Sequence, residues 1–379
     1  MIHWPRAVYL HVPFCLHHCG YCDFTLVARR DHLIPQWFDC LQRELEQHRR
    51  ESIARLPVDT IFIGGGTPTH LSVSQLQCLA ELIAGHFELQ PGGEYSMEAN
   101  PDGLDTEKLQ VLRQAGVNRL SLGVQSFDDG VLQLLERTHR ADAAAEVVCQ
   151  AASILPAVSL DLMFGVPGQS EASWQRTVER AVSLPVVHVS TYGLTWEQGT
   201  PFFRRQRSGE LQRAEDELER SQYLGAIRQL TGAGFEHYEV SNFARPGWQC
   251  RHNLVYWRAE EYLAFGPGAA RYVGGVRSTS CRSVVKWLRS WSEGRACVEE
   301  EERCEPEQRA REAIMLGLRL RRGFDVSEFE LRFGVKLREL AAEALDQGLR
   351  RGQLELADGR LRLTETGLLL ADSVTAEFL

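Results

Sequence analysis

Three cysteines, Cys15, Cys19 and Cys22, stand at C-x3-C-x2-C spacing within the eight residues Cys15-Leu16-His17-His18-Cys19-Gly20-Tyr21-Cys22. A loop that short can fold three thiolates around one metal assembly. Zinc in a structural site takes four closed ligands, so it would draw its fourth from His11, His17 or His18. A four-iron cluster on three cysteines instead leaves one iron without a protein ligand, and an open iron is where chemistry can happen. The spacing favours the cluster over zinc and over three ordinary thiols in a reducing compartment.

The other polar candidates fall where apolar runs end. Gly64-Gly65-Gly66-Thr67-Pro68 offers backbone that can approach a ligand closely and present N–H groups, although a tight turn explains it equally well. Glu98, in Ser96-Met97-Glu98-Ala99-Asn100-Pro101, could bind hydroxyls or a cationic centre. Gln125 follows Gly123-Val124, and Arg137, twelve residues on, can grip a carboxylate. Asp161 sits inside the apolar run Ser159-Leu160-Asp161-Leu162-Met163, where an ion needs a partner. Taken singly, each is more often a structural hydrogen-bonder than a ligand. Their shared position at strand ends changes the balance.

A second focus is Cys250-Arg251-His252-Asn253-Leu254-Val255-Tyr256-Trp257. An imidazole flanked by Tyr256 and Trp257 could hold the edge of a haem. The chemistry alone favours an interdomain plug, with His252 and Asn253 satisfying backbone groups while Tyr256 and Trp257 pack.

The elements that must position these groups alternate. Strand-like runs at Ala7 to Val12, Val58 to Ile63, Glu94 to Ala99, Arg119 to Val124, Val158 to Met163 and Val187 to Tyr192 are separated by helix-period segments beginning near Leu33, Ser72, Thr106, Asp128, Glu171 and Glu215. Such alternation builds a parallel α/β sheet, and six units are two short of a closed eight-fold barrel. The expected fold is therefore a partial TIM-like (β/α)6 barrel over residues 1–241, with ligands at the carboxyl ends of its strands. Thr195 to Leu211 is a long connection placed to cover that mouth. Residues 242–305 form a connecting segment, in which Glu299 to Glu302 reads as a solvated helix or loop. Helical patterns at Pro306 to Arg321 and Val335 to Arg351, then a hairpin from Gln353 to Leu363 turning at Asp358-Gly359, predict an α+β, winged-helix-like domain over 306–379.

Composition bounds the rest. The 379 residues are 44% hydrophobic and carry a net charge of -9, which disfavours a protein relying on a general basic field to bind nucleic acid. With only three lysines against 42 basic residues, arginine is the habit of this chain, and each arginine carries less functional information. The start, Met1-Ile2-His3-Trp4-Pro5-Arg6, shows no apolar leader, and no run approaches the roughly 18 to 20 apolar residues of a membrane span. A cytoplasmic protein is expected. The seven remaining cysteines are scattered without a paired framework, as suits a reducing compartment; Cys40, Cys78 and Cys149 read as small buried residues of helices.

The C-x3-C-x2-C triplet with GGGTP and the polar strand ends resembles the radical S-adenosylmethionine (SAM) superfamily. From Tyr9 through Tyr272 the motifs resemble its oxygen-independent coproporphyrinogen III oxidase-like family, and within it the HemW haem-chaperone branch, which HNxxYW characterises. The resemblance implies a six-fold partial barrel and a 4Fe-4S cluster on Cys15, Cys19 and Cys22 whose open iron takes SAM. By motif it carries SAM contacts onto Tyr9, Gly65, Gly66, Thr67, Glu98, Gln125, Arg137 and Asp161, and haem onto His252, Asn253, Tyr256 and Trp257. The dehydrogenase branch lacks HNxxYW and has a fourth cysteine where this chain has Phe24.

The expected function is therefore haem binding and transfer to an acceptor protein, with an electron donor as a further partner and any membrane contact made through the acceptor. No residue is assigned a catalytic role, since the cofactor site permits SAM cleavage without requiring it. The competing functions are oxidative decarboxylation of coproporphyrinogen III to protoporphyrinogen IX and an interaction module that keeps the barrel as scaffold.

Overall fold

The computed structural model describes residues 4–48 and 55–379; Met1 to His3 of the N-terminal segment lie outside the described residues. Six parallel strands carry the architecture: β1 (Ala7–Val12), β2 (Leu56–Gly65), β3 (Phe87–Ala99), β4 (Arg119–Gln125), β5 (Ala157–Phe164) and β6 (His188–Gly193). They lie side by side in chain order. Three further short strands, β7 (Glu236–Glu239), β8 (Asn242–Ala244) and β9 (Leu263–Phe265), extend the sheet to the order β9-β1-β2-β3-β4-β5-β6-β8-β7. β9 joins β1 in parallel, whereas β8 runs antiparallel to both β6 and β7. The sheet is an open, partial (β/α)6 barrel; β9, from beyond residue 241, forms one edge, and β7, reached through β8, forms the other.

Local sequence explains the helices. Ser72 caps Val73–His86 with a reciprocal capping box to Gln75, and Asp105 and Ser170 cap Thr106–Gln114 and Glu171–Ser183. Their apolar stripes pack on the outside of the sheet. Trp37 and Trp174, both fully buried, seal that layer.

Register sets what the barrel encloses. Residues two apart share a strand face, and the pairings Tyr9 with Phe62, Phe62 with Ser96, Glu98 with Ser121, and Asp161 with Ser190 put one polar series on the inner face. Near the amino ends of the strands this lumen is closed by the buried Arg119–Glu94 ion pair (3.1 Å) and a hydrogen bond between Ser159 and the His188 ring (2.6 Å). The carboxyl ends form the mouth.

The C-terminal part is winged-helix-like, with helices Pro306–Gly317, Val326–Phe333 and Leu337–Arg350 and a hairpin of Leu354–Ala357 with Arg360–Leu363. Its turn is Asp358-Gly359, both at positive φ, as a two-residue hairpin requires. Ile314, Phe329, Leu345, Leu361 and Phe378 give it a core of its own.

Several local expectations change. Residues 282–305 hold the helix Val284–Ser292, whose Trp287 and Trp291 are buried, and an exposed strand, Val298–Arg303, in place of a solvated helix or loop around Glu299. Cys78 and Cys149 lie on the outward faces of their helices and are exposed, while Cys40 is buried. Cys281 and Cys297 form a disulfide, so the cysteines are not wholly unpaired. The spacing of sixteen residues gave no hint, because the helix between the two cysteines brings them back together.

Candidate functional site

Pro13 has no N–H to continue the β1 ladder. The chain instead turns out at the mouth, where Phe14–Cys15 pairs with Val27–Ala28, so the loop leaves and returns at one place. Cys22 N–H donates to the Cys19 carbonyl (3.1 Å), tightening the loop. Phe202 braces it: its N–H donates to the Gly20 carbonyl (2.9 Å), and its ring lies 2.7 Å from where a Cβ on Gly20 would stand. Phe202 belongs to the helix Pro201–Arg207, capped by Thr200, which forms within the long connection after β6.

All three thiols face one cavity of about 490 Å³, together with Gly65, Gly66, Glu98, Arg137 and Asp161. Cys15 Sγ is 3.0 Å from Thr67 Oγ1, and Cys19 Sγ is 3.9 Å from an Arg137 guanidinium nitrogen. Burial and the neighbouring Cys19 and Cys15 push the Cys22 thiol up to about 12; burial also raises Cys19, against the pull of Arg137. Thiols in such a group ionise together only when a metal takes their negative charge.

Around the thiols, each strand end contributes. The Glu98 carboxylate accepts the Gly65 N–H at 3.0 Å. Burial, then the proximity of Asp161, pushes Glu98 up to about 8 against the pull of that N–H. Asp161 accepts the Ser121 hydroxyl at 3.1 Å and is pushed up to about 6 by burial, while the Ser190 and Ser121 hydroxyls and Arg137 act in the opposite sense. Arg137 donates to Asn100 Oδ1 and the Gly123 carbonyl, both at 2.7 Å. Its Nε is buried with no protein partner, an orphaned donor at the mouth.

Tyr9 and Gln125 stand a step back. Tyr9 lies deeper in the barrel, its hydroxyl 3.0 Å from His11 Nδ1. Gln125 has a positive φ of 67°, and its amide turns back to within 3.1 Å of where a Gly123 Cβ would be. Two residues at the site went unassigned. Asn100 links Thr67 Oγ1 (2.9 Å) to Arg137, and Tyr192, at the end of β6, lines the cavity. Their position at strand ends was the available signal.

The histidines near the loop are committed elsewhere. His11 is buried against the Thr25 carbonyl (2.6 Å), His18 bonds the Cys22 carbonyl (2.9 Å), and His17 faces Glu136 (3.5 Å). Among the described residues no three His, Cys, Asp or Glu side chains converge on one ion. Zinc needs sulfurs and nitrogens within about 2.3 Å of a single centre. Three thiols spread around one cavity, with Gly66 backbone and an unpaired Arg137 donor beside them, fit a wider cluster bearing a polar ligand.

The His252–Trp257 segment lies at the other end of the barrel, in the helix Arg251–Trp257. Its first turn is held by Glu94, which accepts the N–H groups of Arg251 and His252 (3.0 Å each). The His252 ring is fully buried and stacks on Phe62. One ring nitrogen is 2.9 Å from Thr60 Oγ1 and the other 2.8 Å from the Tyr256 hydroxyl. Burial lowers His252 to about 4, so its ring is neutral. This is a plug in the barrel floor; of the segment, Trp257 and Leu254 border outer cavities, whereas His252, Asn253 and Tyr256 line neither of them.

The sequence matches the Radical SAM superfamily over residues 9–181 and the HemN C-terminal domain over residues 304–370. It is 34% identical over 378 residues to "Heme chaperone HemW" of Bacillus subtilis (strain 168), covering 99% of both chains. The chain belongs to the radical SAM superfamily, in its HemW branch. It is also 38% identical over 379 residues to "Heme chaperone HemW" of Mycobacterium tuberculosis, covering 99% of this chain and 95% of that one. Among solved structures it resembles coproporphyrinogen III oxidase (HemN) from Escherichia coli, with a TM-score of 0.85 at 22% identity, over 99% of this chain and 90% of that one. That likeness establishes the fold, with the C-terminal domain included. Membership of the superfamily implies a 4Fe-4S cluster and SAM.

Proposed function

We propose that this protein binds haem, holds a SAM-ligated 4Fe-4S cluster on Cys15, Cys19 and Cys22, and passes haem to an acceptor protein. The observation that carries this reading is the full-length similarity to proteins named heme chaperone, in a chain whose three loop cysteines meet Gly65, Gly66, Glu98, Arg137 and Asp161 at one cavity.

When bound, the cluster and SAM supply one-electron chemistry, with electrons from a donor protein. The chain's own groups have separate tasks. Gly65 and Gly66 bring bare backbone to the amino-acid end of SAM, Glu98 and Asp161 accept its hydroxyls and balance its positive charge, and Thr67, Gln125 and Tyr9 orient the surrounding polar groups. Arg137, through its unpaired Nε, takes a carboxylate or a ribose oxygen. His252, Asn253 and Tyr256 shape the floor of the barrel, and Trp257 offers an aromatic face outside it. For His252 to ligate haem iron, it would have to give up its bond to Thr60 or to Tyr256.

No helix of the described residues is long and apolar enough to cross a membrane, and the setting proposed is the cytoplasm. The test is anaerobic reconstitution with iron and sulfide, then haem titration and transfer to a haem-free acceptor, for wild type and for the variant with Cys15, Cys19 and Cys22 all changed to Ala. Haem binding and transfer by the wild type support the reading. Stoichiometric zinc without iron or sulfide, or turnover of coproporphyrinogen III with SAM and reductant, would overturn it.

A further inference from the structure

The mouth cavity of about 490 Å³ is taken up, on the reading above, by cluster and SAM, so a tetrapyrrole needs space elsewhere. A cavity of about 590 Å³ lies at the opposite end of the barrel, where β7 meets the C-terminal domain. The two parts are joined there by backbone: Val240 N–H donates to the Arg319 carbonyl (3.1 Å) and Arg321 N–H to that of Tyr238 (3.0 Å). Beside it is a second cavity of about 230 Å³, and the two share Arg258, Leu320, Gly323 and Arg360 in their walls.

The chemistry of these walls is divided. The smaller cavity is bordered by Trp257, Phe324, Phe329 and Phe333, and Arg319 covers the ring of Trp257 at 4.8 Å. The larger one has Arg258 and Arg322 at its edge, both exposed, and neither is in a salt bridge among the described residues. Arg360 is already spent on the carbonyls of Arg322 and Gly323 (2.9 Å each), which fixes the loop that carries Arg322. Most other arginines of this domain are matched, as Arg319 is with Asp372 and Arg351 with Glu377. The walls also carry acids, Glu236 in the larger cavity and Glu260, Asp325 and Glu328 in the smaller, and Glu260 feels the charge of Arg258. Two guanidinium groups outside any salt bridge among the described residues, beside an aromatic recess, suit a flat apolar ligand that carries carboxylates at one edge.

Resting on the function proposed above, we infer that haem lies across these two cavities, its ring against Trp257 and Phe324 and its two carboxylates on Arg258 and Arg322. The HNxxYW segment then serves haem through Trp257 and through the helix that His252 anchors, rather than through an iron bond to His252. The site joins barrel and C-terminal domain, so haem bridges the two.

The test compares ferric haem with its dimethyl ester, whose carboxylates are blocked, on the reconstituted full-length protein. The wild type should bind haem at least about 10-fold more tightly than the diester. The double variant Arg258→Glu with Arg322→Glu should lose about 10-fold or more in haem affinity, show little change toward the diester, and keep wild-type iron content and SAM binding. The milder pair Arg258→Gln with Arg322→Gln should fall between. Equal wild-type affinity for haem and diester overturns the site, and so does unchanged haem affinity in both variants; either result leaves the haem-chaperone reading standing. A wild type that binds no haem removes that reading and this site together.

Discussion

Glu98 accepts the Gly65 N–H at 3.0 Å while its carboxylate fills the space that a Cβ on Gly64 would need, 2.9 Å from the nearest oxygen. The glycine run and the acid on the next strand therefore form one fitted unit. A side chain on the run would displace the acid, and loss of the acid would leave the run's N–H unpaired.

Replacing the acid of Glu98 should show in SAM affinity before it shows in the fold, because the positive charge of bound SAM favours the ionised carboxylate over the neutral form that burial favours in its absence. Glu98→Gln keeps the acceptor oxygen for Gly65, so the far-UV spectrum and cluster content should stay as in the wild type. A hydrogen bond to a charged group is worth about 1.5–3 kcal/mol, so SAM should bind roughly 10- to 100-fold more weakly by calorimetric titration. An unchanged titration would strike Glu98 from the SAM contacts.

Stability should fall with rising pH across the range where these acids titrate. Glu98 has its pKa raised to about 8 and Asp161 to about 6, so between the unfolded values near 4 and these values the folded state binds more protons. The stability contribution is complete below about pH 4 and is lost as pH rises toward 8. For the SAM-free protein, Glu98→Gln should flatten that slope in chemical denaturation curves run from pH 5 to 8.5, by on the order of 2 kcal/mol.

Gly66→Ala should abolish cluster assembly. Its Cβ would stand 2.6 Å from the Phe14 carbonyl, which accepts the Thr67 N–H (2.8 Å) directly before Cys15. Backbone cannot yield cheaply there, so the cysteine loop must shift. Iron and sulfide per chain after reconstitution should drop well below the wild-type value while the barrel still melts cooperatively.

His252→Ala should behave as a core mutation. The ring is fully buried, stacks on Phe62 and holds the hydroxyls of Thr60 and Tyr256, so its loss should cost about 2–4 kcal/mol in denaturant titration. Haem affinity of the folded fraction should fall by no more than a few-fold, because the ring lies in the floor and acts on haem only through the helix it anchors.

Replacing Cys281 and Cys297 together by Ala should lower stability by about 3 kcal/mol under oxidising conditions, the value expected for a cross-link closing a loop of this length. Under reductant the wild type and the variant should melt alike.

The order of strands and helices was legible from residue patterning because each βα unit is local. The six parallel strands lie within two residues of their expected ends, except at the amino end of β3. The edges of the sheet were not legible. Asn242–Ala244 and Leu263–Phe265 are three-residue strands, too short to show a period, and each has a partner far away in the chain, β6 for the first and β1 for the second.

The cluster-binding triplet and the acids at strand ends could be read from spacing and type, since a loop of eight residues and a strand end place a side chain by local geometry alone. Only the folded chain decided that Asn100 and Arg137 would meet, that His252 would spend both ring nitrogens in the floor, and that Arg258 and Arg322 would border one space without a salt bridge to either among the described residues. Those outcomes depend on register and packing between segments distant in sequence, and the energies that set them arise only when the segments are brought together.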